Sequence, residues 1–292
     1  MKIQKECIPC LIKRIVFESE ESTTDKSLKE KVIKNALRVF SEEFSYDGCS
    51  AEIATKVHRI TYDTLQDLDP YKELKKASNT IALSLVPEVE AIIAKSDDSL
   101  KMSMLCSIIG NSLDFGIDGG SKNPDVFLDK FYQLIDEGFG YDDTDKVKKL
   151  LLKSKKGLYF TDNCGEIVFD KIVCKEIKKK YPSIHLTLVV KGEHVLSDAT
   201  MEDVELLDFK EVVDNVLTTG RFAVGFDLKQ MPSTLKTALE ESDLIISKGM
   251  ANYEVFSEAD YKPIAYLMRT KCEPIARSMG IPVYINAVKV YD

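Results

Sequence analysis

Apolar positions in the first half of the chain recur with a helical period. Residues 26–41 place Val32, Ala36, Leu37 and Phe40 on one face, and residues 50–68 do the same with Ile53, Val57, Ile60, Tyr62 and Leu65. Asp69-Pro70-Tyr71 interrupts that pattern before residues 71–84 resume it. Residues 100–109 form an apolar stripe that runs into GNSLDFGIDGG. The glycines there, Gly110, Gly116, Gly119 and Gly120, predict a bent, loop-rich element. Residues 125–137 read as one more amphipathic helix. Before Leu150 no segment alternates with the period of a strand.

After YDDTDKVKKLLLKSKKG the pattern changes to short apolar runs separated by helical stretches. Residues 158–160, 186–190, 244–246 and 282–286 are expected as strands, and 211–213 as a brief one. Residues 167–180, 201–207, 233–241 and 264–278 are expected as helices. Short apolar strands alternating with helices imply a parallel sheet covered on both faces. The expected fold is therefore α/β, with a helical half over residues 1–150 and a Rossmann-like half over 151–292. The sequence has no internal repeat.

A length of 292 residues suits about two domains. With 44% hydrophobic and 30% charged residues, the chain is globular in character. The N-terminus lacks an apolar signal core, and no apolar stretch approaches the roughly 20 residues of a membrane span. A cytosolic protein without a membrane partner is the expectation. A net charge of −8 argues against broad nucleic-acid binding. Seven cysteines without a signal segment read as free thiols.

In an open parallel sheet, ligands bind at the carboxyl ends of the strands. Three such ends here are polar in a similar way. The first carries Thr161-Asp162-Asn163-Cys164-Gly165-Glu166, the second Lys191-Gly192 and then Ser197-Asp198-Ala199-Thr200, and the third Ser247-Lys248-Gly249-Met250-Ala251-Asn252. Asp162 and Asp198 are separated by about one strand–helix–strand unit of roughly 30 residues or more, which puts both at the same end of neighbouring strands. With the Asn163 amide oxygen they make a hard, all-oxygen set suited to Mg²⁺ or Mn²⁺. Lys248 would add positive charge for an anionic substrate, and a helix starting near Gly165 would aim its free N–H groups there.

Plainer readings exist for each residue. Asp162 or Asn163 could cap the helix near Gly165, Asp198 could cap the helix at Met201, and Lys248 could be a solvated loop lysine. Taken one at a time, these readings leave the shared polarity of three strand ends unexplained. There is no G-x-G-x-x-G, no P-loop and no D-x-D after the first strand. His58, His185 and His194 do not pair at metal spacing, and Cys7-Ile8-Pro9-Cys10 lacks the second pair a zinc site wants.

Together TDNCGE, VLSDAT, SKGMANYE, GNSLDFG and the N-terminal CIPC resemble the damage-control phosphatase family, and C-x-P-C its stand-alone microbial branch. The resemblance covers most of the chain. It implies a phosphatase of small phosphorylated metabolites that uses Mn²⁺, Ni²⁺, Co²⁺ or Mg²⁺. The metal ligands it implies are Asp162, Asn163 and Asp198. Phosphate contacts are implied for Lys248 and the turn from Gly249 to Asn252. Asn111 and Asp114 would reach the site from the helical half, Glu166 would line the pocket, and Arg269 and Lys271 form a further basic pair. Either Asp114 or Glu166 would orient the attacking water. Met250-Ala251 departs from the more polar turn expected there.

A carboxyl methyltransferase using S-adenosylmethionine is one alternative. It wants a glycine-rich first loop, where only Gly165 is present, and an acidic end to the second strand, which is Lys191-Gly192 instead. A non-catalytic metal- or metabolite-binding regulatory protein is the other. The sequence leaves the substrate and the oligomeric state open.

Overall fold

The computed structural model describes residues 1–111 and 124–292. Seven strands form one sheet: β1 (Tyr141–Asp142), β2 (Lys156–Phe160), β3 (His185–Val190), β4 (Asn215–Thr218), β5 (Leu244–Lys248), β6 (Ile264–Arg269) and β7 (Asn286–Tyr291). Their order is β1-β7-β6-β5-β2-β3-β4. All neighbours are parallel except β6 and β7. The chain winds outward from β2 through β3 to β4, then returns to lay β5 on the other side of β2, with β6 beyond it. The strand order thus reverses between β2 and β5, which leaves a crevice at their carboxyl ends.

Side chains alternate across this sheet. Tyr159 of β2, Leu186, Leu188 and Val190 of β3, Leu244 and Ile246 of β5, and Ala265 and Leu267 of β6 join one core. Leu158, Phe160, Val189, Ile245, Ile264, Tyr266 and Met268 join a second core on the opposite face. Strands buried on both faces read as continuous apolar runs. Each fully buried aliphatic side chain here contributes roughly 1.5–3 kcal/mol.

Helices cover both faces. On the first lie α4 (Lys72–Lys95), α5 (Ser99–Gly110), α6 (Pro124–Glu137) and α8 (Glu166–Lys180), with α7 (Thr144–Lys153) and α9 (Met201–Leu206) at its margins. On the second lie α10 (Ser233–Glu241), α11 (Gly249–Phe256) and α12 (Glu273–Met279). A third core joins α1 (Cys7–Ser22), α2 (Lys26–Glu43) and α3 (Ser50–Leu65) to Val195, Leu196, Phe222 and Val224. Those four residues follow β3 and β4, so this three-helix group docks beside the carboxyl ends of the strands.

Residue 150 therefore does not separate two cores: α4, α5 and α6 share theirs with the sheet, and β1 precedes the expected boundary. Residues 264–278, expected as helical, divide into β6 and α12, because the run IAYLMR is buried on both sides and carries no helical stripe. Residues 211–213 end a 3-10 turn (Phe209–Glu211) rather than forming a strand, and pairing begins at Asn215. The last strand starts where the expected one ends, at Asn286.

By length and composition α4 is apolar enough to cross a bilayer, which the sequence reading missed. Here it packs against α5 and α8 and gives Ile81, Ala82, Leu85, Val89 and Ile93 to the core. All seven cysteines are free.

Candidate active site

The ends of β2 and β3 are stitched together by backbone hydrogen bonds. Cys164 N–H donates to Ser197 O, and Ala199 N–H to Asp162 O, both at 2.8 Å. Asn163 and Asp198 consequently lie across an isolated antiparallel bridge. Asp162 and Asp198 are both buried. At the end of β5 the backbone turns through Gly249 at φ +73°, and a Cβ there would stand 2.0 Å from Asp162 Oδ2. Only glycine lets α11 begin against this carboxylate, where its N-terminal dipole favours negative charge.

The plainer capping roles are filled by other residues. Asn79, reaching across from α4, accepts from Gly165 N–H at 2.6 Å. Thr200 is the N-cap of α9, its N–H donating to Asp203 Oδ2 at 2.8 Å. Neither Asp162 nor Asp198 is consumed as a helix cap. By the same token the start of α8 is not an open anion site: Ile167 N–H bonds Asn163 O, and Val168 N–H bonds Gly165 O.

Asn111 enters from the end of α5. Gly110 makes this possible, since a Cβ there would stand 2.6 Å from the Phe169 ring of α8. Asn111 Nδ2 donates to Asp162 Oδ2 at 2.7 Å and to Glu166 Oε2 at 2.5 Å. Asn163 Nδ2 also donates to Asp162 Oδ2, at 2.6 Å, while Asn163 Oδ1 accepts from Ser197 Oγ. Lys271 donates from the loop after β6 to Asn111 O and, at 2.8 Å, to Asn111 Oδ1.

Lys248 is placed differently from the expectation. Its side chain is fully buried, and its ammonium donates to Glu166 Oε1 at 2.5 Å, to Asp170 Oδ1 at 2.7 Å and to Ser107 Oγ. Tyr159 adds a hydroxyl donor to Asp170 Oδ1 at 2.8 Å. All three ammonium hydrogens are spent inward, leaving none for a phosphate. Arg269 is likewise turned away, toward Glu137 at 2.8 Å and Asn286 at 3.1 Å. Asn252 is buried and structural, donating to Thr161 O and Lys248 O. Asp114 lies outside the described residues.

The electrostatics of the rim are strained by its own acids. Burial pushes the Glu166 carboxyl up to about 8; the nearby Lys248 opposes this, and Asp170 and Asp162 add to it. Burial pushes Asp198 up to about 7, opposed by Lys191 and reinforced by Asp162. Asp198 Oδ2 lies 3.3 Å from the Lys191 ammonium but without hydrogen-bonding geometry, and it ends with no hydrogen-bond partner. Lys191 turns its ammonium to Gly225 O and Asn252 Oδ1 instead. A buried carboxylate oxygen without a hydrogen bond, beside a second carboxylate, fits a cation-binding site. Among the described residues no three carboxylates, histidines or cysteines form a metal-holding group, so the third ligand would be the Asn163 amide oxygen.

The sequence reading missed Asp170, Ser107 and Asn79, and named Lys191 only as part of a polar strand end. The one visible signal was Asp170, one helical turn after Glu166 and hence on the same face of α8.

A model of the ARMT1-like domain of damage-control phosphatases matches residues 3–286. A damage-control phosphatase of Archaeoglobus fulgidus is 39% identical over 292 residues, covering 100% of both chains. An uncharacterised protein of Methanocaldococcus jannaschii is 35% identical over 99% of this chain and 95% of its own. The crystal structure of a DUF89 family protein from Pyrococcus horikoshii superposes with a TM-score of 0.90 at 25% identity, covering 100% of both chains.

Proposed function

Because this chain belongs to the ARMT1-like damage-control phosphatase family, we propose that it hydrolyses small phosphorylated metabolites, sugar phosphates or damaged phosphometabolites, in a reaction that depends on a divalent cation. The observation that carries this reading is the Asp198 carboxylate, buried beside Asp162 with one oxygen that accepts no hydrogen bond although Lys191 stands 3.3 Å away. Asp162, Asp198 and Asn163 would hold the cation; rotation of the Asn163 amide would turn its oxygen from Ser197 toward Asp162. When bound, a divalent cation supplies Lewis acidity toward a phosphoryl oxygen and lowers the pKa of water. The all-oxygen ligand set favours Mn²⁺ or Mg²⁺, with Ni²⁺ and Co²⁺ as the family resemblance adds.

The chain's own groups do the positioning. Lys271, exposed beside Asn111, supplies the charge for the phosphoryl oxygens that Lys248 does not. Asn111 orients the Asp162 carboxylate. Glu166 has one oxygen on Lys248 and the other on Asn111, with a longer bond from Asn163 N–H, so it positions these groups rather than abstracting a proton. Asp114, the other residue the sequence offers for orienting the attacking water, lies outside the described residues.

The test is phosphate release from para-nitrophenyl phosphate with Mn²⁺, Ni²⁺, Co²⁺ or Mg²⁺, compared with EDTA. Asp162→Ala is expected to lower cation-dependent release by about a thousandfold or more while circular dichroism stays unchanged. Full activity in that variant would sink the assignment. Absence of turnover in the wild-type protein would favour a binding module instead.

A further inference from the structure

The two helix caps beside the candidate site are joined to each other, which capping alone does not require. Asn79 of α4 and Asp203 of α9 are both buried, and Asn79 Nδ2 donates to Asp203 Oδ1 at 2.6 Å. The other end of each side chain reaches one of the loops that carry the acids. Asn79 Oδ1 accepts from Gly165 N–H at 2.6 Å, three residues after Asp162. Asp203 Oδ2 accepts from Thr200 N–H at 2.8 Å and from the Thr200 hydroxyl at 3.4 Å, two residues after Asp198. Cys164 Sγ adds a weaker donor to Asp203 Oδ1 at 3.4 Å.

These contacts close a ring. On one side the loops are tied through their backbones, by Cys164 N–H to Ser197 O and by Ala199 N–H to Asp162 O. Those bonds flank the single bridge between Asn163 and Asp198, so they fix register but leave the loops free to pivot about it. The path from Gly165 through Asn79 and Asp203 to Thr200 supplies a third tie and anchors both loops to α4. It runs through groups shielded from water, where a hydrogen bond is strong and an unmade one is costly. A helix start is ordinarily capped by the residue just before it. Here the cap of α8 comes from another helix, and a single carboxamide links it to the side chain that completes the cap of α9.

We propose that Asn79 and Asp203 are positioning residues for the cation site. They hold the Asp162 and Asp198 loops at a spacing that favours Mg²⁺, with ligands at about 2.0–2.1 Å, over Ca²⁺ at about 2.3–2.6 Å. The inference rests on the cation-dependent reading of the site, and its test needs no turnover. Binding of Mn²⁺ to the metal-free protein is read from the electron paramagnetic resonance of the free ion, and Mg²⁺ and Ca²⁺ are measured by displacing it. Asn79→Leu keeps the side-chain size and the net charge but breaks the tie. It should weaken Mn²⁺ binding by about ten- to a hundredfold and lower the preference for Mg²⁺ over Ca²⁺ by about tenfold. A role in fold stability alone would leave that preference unchanged. The exchange Asn79→Asp with Asp203→Asn preserves the carboxylate–carboxamide contact, both backbone acceptors and the net charge. It should return both readouts to within about threefold of wild type. The proposal is overturned if Asn79→Leu binds Mn²⁺ as the wild-type protein does, if its affinity falls with the preference unchanged, or if the exchanged pair is as impaired as Asn79→Leu. Should Asn79→Leu fail to fold, Asn79→Ser, too short to reach both partners, is judged by the same outcomes. Absence of Mn²⁺ binding by the wild-type protein overturns the cation reading and this proposal together. Phosphate release by the wild-type protein separately decides the phosphatase reading.

Discussion

Two acidic clusters lie back to back in this molecule, and they are resolved in opposite ways. In the inner one, Glu166 and Asp170 share the Lys248 ammonium, with Ser107 and Tyr159 adding hydrogen bonds to Asp170 Oδ1. In the outer one, Asp162 and Asp198 crowd together, Lys191 is drawn away to a backbone carbonyl and Asn252, and Asp198 Oδ2 remains without a hydrogen bond. The inner cluster carries its own counter-ion in Lys248, although Asp170 Oδ2 accepts no hydrogen bond. The outer one sets two carboxylates against a single ammonium, that of Lys191 3.3 Å from Asp198, and so retains negative charge that suits a cation from outside. Glu166 belongs to both, through Lys248 on one oxygen and Asn111 on the other.

The sharpest break of this comparison removes the inner counter-ion. Lys248→Met leaves two buried carboxylates without their ammonium and should destabilise the protein by about 3–5 kcal/mol. Urea denaturation would measure it. The triple change Lys248→Met, Glu166→Gln, Asp170→Asn should recover much of that loss; if Lys248→Met alone is near neutral, the inner cluster is not the self-contained unit described.

A smaller effect distinguishes the outer cluster by pH. The Glu166 and Asp198 carboxyls are raised to about 8 and about 7 from ordinary values of 4.5 and 3.8. In that window the folded chain holds more protons than the unfolded one, so metal-free stability should fall as pH rises from about 4 to about 8. Mn²⁺ favours the ionised carboxylates and should raise Tm strongly near pH 8 and little near pH 4.5. Melting curves in EDTA and in Mn²⁺ check both, and Asp198→Asn should flatten the metal-free slope. A slope unaffected by Asp198→Asn would remove that residue from the account.

The smallest change falls on the exposed cation. Lys271→Ala should lower kcat/KM for phosphomonoester hydrolysis by about ten- to a hundredfold, with little change in Tm. Equal activity in this variant would return the phosphate contact to another group.

The acids of the rim were legible because strand ends in a parallel sheet converge by topology. One crossover of suitable length brought Asp162 and Asp198 together on paper, and Asn163 lies beside Asp162 in the chain. The lysines were less legible. Lys248 follows a buried strand and looks like a rim residue, yet its direction depends on where α5 and α8 present Ser107, Glu166 and Asp170.

By itself the sequence determined the α/β class, the three central parallel strands β2, β3 and β5, and the polar carboxyl ends where Asp162 and Asp198 meet, because periodicity and crossover length are local properties. The antiparallel β6–β7 pair, the merging of α4 to α6 with the sheet core and the saturation of Lys248 were decided by tertiary structure. Each depends on which distant groups share a low-dielectric interior. There a buried charge must find partners, and the position of those partners is set by packing rather than by spacing along the chain.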